Sequence, residues 1–169
     1  MLLRLIRPAR LLARAISEAC TPRQLALGVA LGMVIGLVPK GNLTAVGLMV
    51  ILLGTRVNLG TGVLSAAMFS WVGTFVDPMT HRIGEALLTQ PSLQPAWAYL
   101  YDLPIMPWTA FNNTVVLGSL LLGLWLFYPV YRVSEWAFER SQPWVVERLQ
   151  KYRFVQLLRG AEIAASWRP

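Results

Sequence analysis

Asp77, His81 and Glu85 recur at every fourth residue. That spacing brings two carboxylates and an imidazole onto one helix face, where they could hold a metal ion. The set is thin, because His81 is the only histidine and Cys20 the only cysteine in the chain. Asp77 as a helix cap ahead of Pro78, and His81 as an interfacial residue, account for the same side chains without a metal. The chain has no Ser-centred nucleophile elbow, no phosphate-binding loop and no acid inside an apolar run. A protein without catalysis, metal or cofactor is therefore the expectation, and proton-coupled transport has no carrier residue.

Lys40 stands apart from the other charges, in Pro39-Lys40-Gly41-Asn42 between two uncharged runs. An ammonium beside the free N–H groups of a helix opening at Asn42 suits an anion such as a lipid phosphate or carboxylate. If the two runs dip into the membrane and return, that charge lies at depth, where it is costly and functional. If they cross, Lys40 and Asn42 sit among the outer headgroups. Gly28, Gly32 and Gly36 form the sharpest local pattern, a side-chain-free stripe along one helix face that lets another backbone approach closely. Gly62-x3-Ala66-x3-Ser70 and Ser119-x3-Gly123 are the opposing faces on offer. The stripe serves either packing within the chain or contact with a second copy or a partner's helix.

These residues need a scaffold, and composition says which kind. Of 169 residues, 56% are hydrophobic and 14% charged, with a mean hydropathy of +0.53. A soluble domain is about 45–50% apolar and about 25% charged. The excess apolar surface points to a bilayer as solvent, and it excludes intrinsic disorder. The length suits a single compact domain. A net charge of +7 and a pI near 10.3 then indicate a phospholipid surface, not a nucleic acid. Arginine and lysine crowd segments 1–23 and 132–169, leaving only Lys40, Arg56 and Arg82 between them. Such residues stay on the cytoplasmic side during insertion, which puts both termini in the cytoplasm and 77–112 outside.

Residues 1–20 alternate apolar and basic in a helical rhythm. Arg4, Arg7, Arg10 and Arg14 fall on one side and Leu3, Leu5, Leu12 and Ile16 on the other. The segment is either a basic interfacial helix meeting lipid headgroups or the charged flank of a first membrane helix. Thr21-Pro22 opens a helix that runs to Val38, and Leu43 to Thr55 follows after Pro39 and Gly41. Each run is shorter than the roughly 20 residues that cross a bilayer, so the pair is a re-entrant hairpin or a crossing of a thinned membrane. Val57 to Val76, ended by Asp77-Pro78, and Asn113 to Tyr131 are full spans. Between them lie a short amphipathic helix over 79–89 and a proline-rich loop in the outer interface, whose Trp97, Tyr99, Tyr101 and Trp108 suit contact with a partner. Asn42, Asn58 and Asn113 each precede an apolar segment as a cap. The fold class is all-α and polytopic. It comprises the basic segment 1–20, a membrane domain over 21–131 and a basic amphipathic segment over 132–169.

From Thr21-Pro22-Arg23 through the glycine stripe to Pro39, then Asn58 and Asp77-Pro78, the chain resembles a bacterial membrane family called domain of unknown function 2062. The likeness covers roughly residues 20–130. The Pro39-Lys40-Gly41-Asn42-Leu43 turn departs from the commoner pattern and is similar to a subgroup from bacteria with outer membranes. The resemblance implies a genomic neighbour encoding a long periplasmic protein of the AsmA and TamB type, and with it phospholipid carriage towards the outer membrane. It carries over no catalytic residues.

The expectation is a multi-pass inner-membrane protein that docks such a partner and assists phospholipid transfer. In it Gly28, Gly32, Gly36, Gly62 and Ala66 pack helices; Lys40, Asn42, Arg4, Arg7, Arg10 and Arg14 meet headgroups; and Trp97, Tyr99, Tyr101 and Trp108 meet the partner. The alternative is a homo-oligomeric channel or small-solute permease with the glycine stripe at the subunit contact. A lipid-modifying enzyme would need its site around Asp77, His81 and Glu85.

Overall fold

The structure, a computed structural model, describes residues 21–151. The basic segment 1–20, with Arg4, Arg7, Arg10 and Arg14, and residues 152–169 lie outside the described residues. The described chain is helical, with no strand. Its elements are α1 (Pro22–Leu37), α2 (Leu43–Gly54), α3 (Leu59–Leu88), a 3-10 turn (Pro91–Leu93), α4 (Gln94–Tyr101), α5 (Met106–Thr109) and α6 (Thr114–Lys151).

Caps set where these helices begin. The Thr21 hydroxyl accepts the Gln24 N–H at 3.3 Å, while the Gln24 side chain accepts the Thr21 N–H at 3.1 Å, with Pro22 in the first turn. Asn42, Asn58 and Asn113 accept the N–H groups of Ala45, Thr61 and Val115, each at 2.9 Å.

The short helix α1 is the centre of the bundle. It runs parallel to α3, since Gly28 faces Thr61 and Gly36 faces Phe69. It runs antiparallel to α6, since Arg23 meets Glu135 while Val34 meets Gly123. Helix α2 folds back from the turn at Pro39, and Leu48 packs on the core of Met33, Val34 and Leu37. A 16-residue helix is about 24 Å long. That length carries the turn to the level of the start of α6, where Val38 and Ala45 cluster with Val116.

The interior combines apolar side chains such as Met33, Val34, Ile35 and Val38 with small and polar ones, Ala26, Ala30, Ser65, Thr80 and Ser119. Many other large apolar residues point outward, with Trp71 at 71% and Trp125 at 75% exposure. Helices Leu59–Leu88 and Thr114–Ser141 are long and apolar enough to cross a membrane, at hydropathies of 1.5 and 1.7. Only 17% and 28% of their apolar 18-residue stretches is buried, whereas the core helix of a soluble protein is mostly covered.

Three boundaries differ from the sequence expectation. Helix α3 does not stop at Asp77-Pro78 but continues through Pro78 to Leu88, so Asp77 is an interior helix residue and not a cap. Packing of Thr80 and Gly84 against α6 holds the second half in line, outweighing the one backbone bond that proline removes. The aromatic segment is largely helical, because Pro91, Pro95 and Pro107 occupy first-turn positions where proline is tolerated. Helix α6 passes Tyr131 and Pro129 without a break and runs to Lys151.

Candidate functional site

The glycine stripe is an internal seam. A Cβ added at Gly28 would meet the Thr61 hydroxyl, with the Asn58 carbonyl at 2.7 Å; one at Gly32 would overlap the Gly62 carbonyl; one at Gly36 would stand 2.8 Å from the Ala66 carbonyl. The backbones therefore approach as closely as the missing side chains permit. Across the seam Thr61 and Ser65 donate to the Leu25 and Val29 carbonyls at 3.2 and 2.8 Å, stitching α3 to α1. Farther along, Gly84 and Gly118 seat α3 against α6 at Thr114 and Thr80. The face that would form a subunit contact in an oligomeric channel is covered by the chain's own α3.

At the hairpin tip, the Lys40 ammonium donates to the Ile35, Gly36 and Val38 carbonyls at 2.6, 3.0 and 2.8 Å. Its charge faces the negative end of α1, and its three protons are used there. Partial burial pulls the Lys40 pKa below the ordinary lysine value. The Asn42 amide donates to the Pro39 carbonyl at 2.8 Å while its oxygen caps α2. Gly41 supplies the positive φ of 94° that closes the turn. Both residues predicted to meet headgroups thus first build the turn.

The segment from Thr89 to Asn113 closes this end of the bundle. The Thr44 hydroxyl donates to the Thr109 carbonyl at 2.7 Å, and Ala110 packs on Val38 and Ala45. Of the predicted contact residues, Tyr99, Tyr101 and Trp108 are exposed. Trp97 differs: it is half-buried, and its indole N–H donates to the Leu87 carbonyl at 3.1 Å.

With this geometry in view, a protein family described as "Uncharacterized protein conserved in bacteria (DUF2062)" matches residues 6–145. The chain belongs to this family. Among its curated relatives is an uncharacterized protein of Treponema pallidum (strain Nichols), 26% identical over 159 residues, covering 94% of this chain and 98% of the relative. No solved structure matches. Family membership thus extends beyond the 20–130 stretch on which the resemblance rested, and takes in most of α6.

Within that matched stretch lies a cluster that sequence reading passed over. The Glu135 carboxylate, whose side chain is 5% exposed, accepts from Arg23 Nε at 3.0 Å, Arg132 at 2.7 Å and the Tyr131 hydroxyl at 3.0 Å. It joins the start of α1 to α6 at the end of the bundle opposite Lys40. Arg23 in the Thr21-Pro22-Arg23 opening was the available signal, but its partner lies over a hundred residues away. His81 reaches the Thr114 hydroxyl at 2.6 Å through Nδ1, with Nε2 3.9 Å from Glu85. Among the described residues, no three His, Cys, Asp or Glu side chains are grouped as metal ligands.

Proposed function

We propose that this chain is a multi-pass protein of the bacterial inner membrane, with both termini cytoplasmic. It docks a long periplasmic AsmA/TamB-like partner through its 89–113 segment and assists phospholipid transfer, without catalysis. The observation that carries the membrane part is what the two long helices expose: Trp71, Phe75 and Trp125 point outward from α3 and α6, whose apolar stretches are only 17% and 28% buried. Water would penalise that arrangement and lipid does not. The spread of α1 from Arg23 at one end to the Lys40 turn beside Val116 at the other favours a hairpin that crosses a thinned bilayer over one that re-enters. The docking part is supported by Tyr99, Ile105 and Trp108, exposed at 70, 64 and 75% on the segment that the charge bias puts outside. The partner's kind and the lipid cargo are supported by the family resemblance alone.

In-cell crosslinking followed by affinity purification of the tagged protein from native membranes tests this reading. The expected result is recovery of one long periplasmic protein, crosslinked through residues 89–113. Recovery of the chain only with itself would move the weight to the oligomeric channel.

A further inference from the structure

Between the end of α3, α4, α5 and the approach to α6 lies a cavity of about 370 Å³, walled almost wholly by apolar atoms. Leu88, Trp97, Leu100, Met106 and Phe111 supply the wall, and no charged residue lines it. Its volume falls in the range of small-molecule sites, on the order of 300–1,000 Å³. Two polar groups of the wall donate to nearby backbone: the Gln94 amide to the Leu88 carbonyl and the Trp97 indole to that of Leu87. Tyr101 and Asn112, joined by a 3.4 Å hydrogen bond, are exposed and give the lining its polar rim.

We infer that this cavity binds a single acyl chain, with the polar end of the lipid at the Tyr101–Asn112 rim. A polar solute entering it would lose hydration against a wall that is almost wholly apolar. An aliphatic chain loses nothing and buries its surface. Tyr101 and Asn112 of the lining are themselves exposed, so the site opens to the surface on which lipid would arrive. The inference rests on the membrane reading above and deepens it, by giving the outer segment a lipid-holding role besides docking.

The test uses the full chain in nanodiscs of phosphatidylethanolamine and phosphatidylglycerol. These carry a trace of phospholipid with a diazirine midway along one acyl chain, and adducts are mapped after irradiation. Adducts are expected on Trp97, Met106 or Phe111, together with adducts on outward residues of α3 such as Phe75. Ala98→Leu, which fills the space from the wall, should cut the cavity adducts at least fivefold and leave those on α3. Ala98→Trp serves the same purpose if the first filling is incomplete. Diazirine-labelled free fatty acid in a parallel sample identifies the source: labelling by it alone assigns the site to free fatty acid, and labelling by both assigns it to either. A cavity that neither probe labels beside a labelled α3, or cavity adducts that persist in both variants, overturns the proposal while the membrane reading stands. An unlabelled α3 overturns both.

Discussion

At single residues, what surrounds a glycine decides what it does. Gly32 and Gly47 both lie within apolar helices, yet a Cβ at Gly32 overlaps the Gly62 carbonyl and one at Gly47 meets nothing within 4 Å. Gly32→Ile should therefore lower the stability of the purified protein by about 3 kcal/mol, the upper end of ordinary overpacking, because the obstacle is backbone. Gly47→Ala should leave it unchanged or raise it by up to about 1 kcal/mol, as expected for glycine in an exposed helix. Thermal denaturation in one detergent compares the two directly. Lys40 makes a similar contrast. Its ammonium serves the Ile35, Gly36 and Val38 carbonyls at the end of α1, so Lys40→Met should cost about 1 kcal/mol, a charge-assisted cap discounted for the exposure of the residue. If the variant loses envelope function at unchanged melting temperature, Lys40 has a ligand besides its own helix.

At the scale of elements, α1 is held at both ends by different means. The seam with α3 is steric and short-range, while the contact with α6 ends in the ionic cluster at Glu135. Weakening the partners of a buried carboxylate leaves part of its charge uncompensated. Arg23→Glu, which sets a second carboxylate against Glu135, should accordingly lower the melting temperature by several degrees, while Arg23→Lys, which keeps the positive charge, should lose much less. Equal loss in the two variants would mean that the charge at residue 23 is not what ties α1 to α6. Helix α3 is likewise determined by its neighbours: Pro78 removes one backbone bond, and the close seating of Gly84 on Thr114 and of Thr80 on Gly118 of α6 keeps the helix whole.

For the whole molecule, the testable quantity is which end faces which compartment. In a Cys20→Ser background, Tyr99→Cys and Trp108→Cys should react with a membrane-impermeant maleimide applied from the periplasmic side. Arg56→Cys should react only after the membrane is opened. Leu43→Cys, beside the hairpin tip, separates the two hairpin geometries: reaction from outside means a crossing, and protection from outside means re-entry.

Much of this architecture is legible in the linear chain, because it depends on local chemistry. Thr21, Asn42, Asn58 and Asn113 open helices through their own side chains within three residues, and the apolar excess names two candidate spans without reference to any contact. The stripe at Gly28, Gly32 and Gly36 signals close approach by spacing alone. Tertiary structure was needed wherever a residue's partner is remote. It decided that the stripe meets α3 of the same chain, that α3 continues through Pro78 and α6 past Tyr131, and that Trp97 turns inward while Trp108 does not. Glu135 looked like one more acid in a basic segment. Only the antiparallel packing of α1 on α6 brings it to Arg23, since a sequence pattern records periodicity and not which faces meet.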